Sequence, residues 1–69
     1  MTYYKRRNPN GEEEWWLYRL YRCTNRMDES TYEYHDKDEW HKVKKAAFIK
    51  QIKSELIEIS EAELFTELL

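Results

Sequence analysis

The sequence predicts an α+β fold. A three- or four-stranded antiparallel meander sheet occupies residues 1–45, and a C-terminal helix and a short second helix occupy 46–69, within a single small domain of 69 residues. Three observations carry this reading. Nine of the eleven aromatic residues lie before Ala46, leaving only Phe48 and Phe65 after it. Aromatic and β-branched side chains suit pleated, half-buried surfaces, whereas Ala, Leu, Glu and Lys suit helices. The single Pro and single Gly sit together in Asn8-Pro9-Asn10-Gly11, between two strand-like stretches. From Ala46 onward the apolar spacing becomes helical.

The first strand is expected at residues 2–7. The turn at 8–11 follows, because Pro presets φ and Gly supplies a positive φ. A second strand spans 13–23. Its two faces read Trp15, Leu17, Arg19, Tyr21, Cys23 and Trp16, Tyr18, Leu20, Arg22. Both are largely apolar, which predicts a central strand covered on both sides. A polar connection at 24–29 leads to a third strand at 30–35, with Tyr32 and Tyr34 on one face. Residues 36–39 read as a turn, and 40–43 as a short fourth strand or the entry to the helix.

Beyond Ala46, Phe48, Ile49, Ile52, Leu56 and Ile59 fall on one helical stripe, opposite Lys50, Gln51, Ser54, Glu55 and Glu58. Continuing that helix past Ser60 would swing Leu64, Phe65, Leu68 and Leu69 off the stripe. Ser60-Glu61-Ala62-Glu63 matches a capping box, with Ile59 and Leu64 at the staple positions around it. A break at Ser60 and a second helix at 61–69 follow; the competing reading is one helix running to the terminus.

A chain of 69 residues buries only about 60% of its unfolded surface, so aromatic bulk must compensate. The lone cysteine, Cys23, excludes an intramolecular disulfide and suits a reducing compartment. No apolar run approaches a bilayer span and the N-terminus lacks a signal-peptide core, so a cytoplasmic location is the expectation. The net charge of −2 hides an asymmetry: residues 1–45 carry ten Lys/Arg against nine Asp/Glu, and residues 46–69 carry two against five.

The chemistry-bearing patterns are weak. His35 and His41 stand at the outer limit of zinc-ligand spacing without a cysteine pair to complete a site. Asp36-x-Asp38 lacks the Gly and distant Glu of a calcium loop. Cys23 at a strand end reads as a small buried hydrophobe rather than a nucleophile. One glycine is too few for a phosphate-cradling loop. Neither catalysis, nor metal, nor cofactor is therefore expected.

Two binding readings remain. Three Trp, six Tyr and several Arg form the composition of protein-interface hot spots. On this reading the chain is a non-enzymatic protein-binding module that occupies a partner's surface through Trp15, Trp16, Tyr18, Tyr21, Arg19, Arg22, Phe65 and Leu68. Short chains without catalytic signatures are often phage or mobile-element inhibitors of host enzymes, the class that includes anti-defence proteins. That expectation is associational, and no residue points to it. The helix at 61–69 is too short to stand alone, which predicts a homodimer or a partner-dependent fold centred on Phe65 and Leu68. The alternative is a single-stranded nucleic-acid binder that stacks bases on the aromatic sheet and grips phosphates with the interleaved arginines. The runs Glu12-Glu13-Glu14 and 36–39, with a pI near 5.7, oppose a continuous positive groove.

Overall fold

The computed structural model describes residues 1–6 and 19–69. The chain runs through β1 (Thr2–Arg6), β2 (Leu20–Cys23), a 3₁₀ turn (Glu29–Thr31), β3 (Tyr32–Asp36), β4 (Glu39–Lys42), α1 (Ala46–Ile52), a second 3₁₀ turn (Lys53–Glu55), β5 (Leu56–Ile59) and α2 (Glu61–Leu68). The α+β class holds, with an antiparallel sheet and two helices toward the C-terminus. Among the described residues the sheet has five strands, in the order β4-β3-β2-β1-β5. Its first four strands run as a meander, and the fifth returns to lie antiparallel beside β1.

β5 corrects the expected helix. The helical stripe ends at Ile52, and Leu56–Ile59 is strand, with Tyr3 opposite Ile59 and Arg6 opposite Leu56. Apolar residues at 49, 52, 56 and 59 satisfy a helical period, but Ile57-Glu58-Ile59 also alternates. Its two β-branched isoleucines favour the extended form. Pairing along the outer edge of β1 satisfies backbone groups that a bare edge would leave open. The 3₁₀ turn supplies the reversal, and Arg6 clamps it: its guanidinium donates to both carboxylate oxygens of Glu55 at 3.1–3.3 Å.

The start of the third strand also shifts. Asp28 caps the first 3₁₀ turn, accepting from the Ser30 backbone N–H at 3.0 Å and from its hydroxyl at 2.6 Å. Ser30 and Thr31 thus join the turn, and β3 begins at Tyr32. The turn expected at 36–39 is a hairpin in which Asp36 pairs with Glu39. Its two loop residues, Lys37 and Asp38, have φ of 51° and 64°, the left-handed pair of a tight hairpin turn. The segment expected at 40–43 is strand β4. The expected turn at 8–11 and most of the second strand, Trp15, Trp16 and Tyr18 included, lie outside the described residues.

Directly opposed residues of an antiparallel sheet share a face, so the register sorts the core into two layers. Tyr4, Tyr21, Cys23 and Tyr32 occupy one face, and Ile49 and Ile52 of α1 close over them. Leu20 and Ile59 occupy the other face, where Leu64 of α2 packs, with Tyr3 and Trp40 beside them. α1 and α2 therefore lie on opposite faces of the sheet. Each fully buried aliphatic side chain contributes about 1.5–3 kcal/mol, so the second layer matters to a chain this small.

Candidate protein-interaction surface

The serine half of the expected capping box is formed at the start of α2. The Glu63 N–H donates to the Ser60 hydroxyl at 3.1 Å, and the Leu64 N–H donates to the Ser60 carbonyl at 3.0 Å. Ile59 and Leu64 are buried in the same cluster, completing the staple. At the far end Glu67 bridges Lys5 and Arg19, each at 3.4 Å. Desolvation pushes the Glu67 carboxyl up, but the hydrogen bond from Arg19 and the charges of Lys5 and Arg19 outweigh it and hold the group below its ordinary value. The helix is thus fixed by one apolar anchor, one cap and one shared carboxylate.

That mode of attachment leaves the outer side of α2 uncovered. Phe65 is 59% exposed and Leu68 is 37% exposed. Ala62 is exposed as well and lies three positions before Phe65, on the same side of the helix. Ile57, on the sheet face that carries α2, is 39% exposed.

The remaining expected contact residues separate. Tyr21 is corrected: it is fully buried in the layer under α1 and presents nothing to a partner. Arg19 is exposed and held by Glu67. Arg22 donates to Glu33 at 2.6 Å, and its guanidinium lies 4.4 Å above the Trp40 ring. Arg26 pairs with Glu58 at 2.8 Å. Together with Arg6, every described arginine is bound to a glutamate. Tyr3 and His35 also approach Trp40, at 6.3 and 5.1 Å between ring centroids. The aromatic group on that face is therefore largely engaged with its own neighbours.

The buried face carries a tyrosine pair. Tyr4 and Tyr32 stack at 5.9 Å with 17° between their planes. The Cys23 thiol donates to the Tyr4 hydroxyl at 3.8 Å, and the Tyr32 hydroxyl donates to the Arg26 carbonyl at 3.0 Å. Burial pushes both phenols above the ordinary value of 10.0. Cys23, only 1% exposed, is a packing residue here. His35 and His41 project from opposite faces of the sheet, His35 against Trp40 and His41 stacked on Tyr34 at 5.3 Å, so they cannot share an ion. Among the described residues no three His, Cys, Asp or Glu side chains gather into a metal-binding group. An open depression of about 290 Å³ lies between Tyr4, Arg26, Lys53 and Glu58. Two of its charged groups, Arg26 and Glu58, pair with each other, and Lys53 donates to the Arg26 carbonyl at 3.0 Å.

Sequence reasoning named Phe65 and Leu68 but missed Ala62 and Ile57. Placing Ile57 in a helix hid the fact that β5 brings it to the same face as α2. No helix among the described residues is long and apolar enough to cross a membrane. No family model, curated protein or solved structure matches this chain.

Proposed function

We propose that this protein is a non-enzymatic binding module that occupies a surface of another protein through the outer side of α2. The observation that carries the reading is the exposure of Phe65 and Leu68 on a helix whose inner side is already fixed by Leu64, Ser60 and Glu67. Aromatic and aliphatic anchors that stay in water on a rigid element are what a partner pocket takes up. The role of inhibitor or adaptor, including the phage and anti-defence setting, belongs to the same proposal as an association that no residue carries.

The single-stranded nucleic-acid reading draws less support. The arginines that would grip phosphate are bound to Glu33, Glu55, Glu58 and Glu67, and Arg22 lies over the Trp40 ring face that a base would stack on.

Quantitative co-purification from the source cell tests the proposal. Wild type should retain a protein partner that the double variant Phe65→Ser, Leu68→Ser loses, while Arg22→Gln keeps it. Retention should change little between low and moderate salt, whereas nucleic-acid binding would fall steeply. A partner held equally by the double variant, or a nucleic acid released by salt, would overturn it.

A further inference from the structure

The charges around α2 specify the kind of partner. Every charged residue after Lys53 is acidic: Glu55, Glu58, Glu61, Glu63 and Glu67. Glu55, Glu58 and Glu67 are held by Arg6, Arg26 and the Lys5–Arg19 pair. Glu61 and Glu63 make no ion pair among the described residues, and both are exposed in the first turn of α2. Glu61 stands one turn before Phe65, and Leu68 follows Phe65 by three, so Glu61, Phe65 and Leu68 share one side of the helix. The last turn carries no basic residue. The exposed side is thus an apolar strip with one carboxylate, Glu61, at its start, unpaired among the described residues; Glu63 stands on the other side of the helix.

Resting on the protein-binding reading above, we infer that the occupant of this side is a cationic amphipathic segment of a different protein. Its apolar side chains would cover Phe65 and Leu68, and a Lys or Arg would face Glu61. A second copy of α2 fits less well. It would bring acidic helices together, and an eight-residue helix spans only about 12 Å, far short of the roughly 800 Å² per partner of a standard interface. A single segment needs less area and gains from the charge match, which also speeds encounter.

The test uses two fourteen-residue model helices, one of Leu and Lys and its twin with Glu for Lys, each titrated into ¹⁵N-labelled full-length protein. The Leu/Lys helix should shift the amides of α2 with at least about tenfold higher affinity than its twin. Glu61→Gln should reduce that affinity about threefold while Glu63→Gln, on the other side of the helix, reduces it less, and Phe65→Ser, Leu68→Ser should remove the α2 shifts while the remaining spectrum stays folded. Equal affinity for both helices, or no response to Glu61→Gln, overturns the charge inference and leaves the protein-binding reading standing. A footprint away from α2, or none, also overturns the inference, and the co-purification experiment then decides the broader reading independently. A wild-type dimer in light scattering that Phe65→Ser, Leu68→Ser disperses overturns it in favour of a second copy.

Discussion

Leu64→Ala should release α2 without unfolding the sheet. Leu64 is 4% exposed and packs with Leu20 and Ile59, so truncation removes most of the apolar contact that holds the helix. Buried Leu→Ala changes cost about 2–5 kcal/mol. Among the described residues the cluster has three buried members, and a small cluster that can relax falls in the lower part of that range, at about 2–3 kcal/mol. What remains is a cap of about 1 kcal/mol at Ser60 and the Glu67 bridge. An eight-residue helix has no independent stability to fall back on. Native-state hydrogen exchange reads this directly. Amides of α2 should lose protection about 30- to 150-fold, following the tenfold per 1.4 kcal/mol conversion, while those of β2 and β3 change little. Equal losses in α2, β2 and β3 would show that Leu64 belongs to one global core, and unchanged α2 protection would show that the helix is held by something else.

Three further outcomes follow from the same contacts. Because Tyr4 and Tyr32 have folded pKa values raised above 10.0, their contribution to stability is complete below pH 10 and falls as pH rises beyond it. Absorbance at 295 nm should show two tyrosines ionising late and together with loss of the fold, rather than independently. Replacing Lys37-Asp38 by Asn-Gly, residues that accept positive φ, should raise stability by about 1 kcal/mol in urea unfolding, and no gain would contradict the left-handed pair. Lowering pH through the Glu67 carboxyl, whose folded value lies below the ordinary 4.5, should weaken the bridge to Lys5 and Arg19 and increase α2 exchange below that pH, an effect absent in Glu67→Gln.

Local chemistry made much of the fold legible. The Ser60 cap, the Ile59–Leu64 staple and the turn at 36–39 are short-range features whose partners lie within a few residues, and each is present. β5 was illegible because its spacing suits two periods, and the choice is made by the edge of β1, some fifty residues earlier in the chain. The fate of the arginines was hidden for the same reason. Glu55 lies 49 positions from Arg6 and Glu67 lies 48 from Arg19, so residues that resemble interface hot spots turn out to fasten the fold internally. Tyr21 followed the same course: its residue type suits an interface, but the register sets it opposite Tyr4 and Tyr34, beneath α1. Phe65 and Leu68 were legible because a helix this short must dock somewhere, and the structure leaves both exposed.

The central claim is that the outer side of α2 meets another protein, and site-specific photocrosslinking tests it most directly. A benzophenone amino acid placed at Phe65, and separately at the exposed Lys42 of β4, would be irradiated in the source cell. The account predicts one dominant protein adduct from position 65 and none of that mass from position 42. Adducts to nucleic acid from position 42, with no protein adduct from position 65, would contradict it.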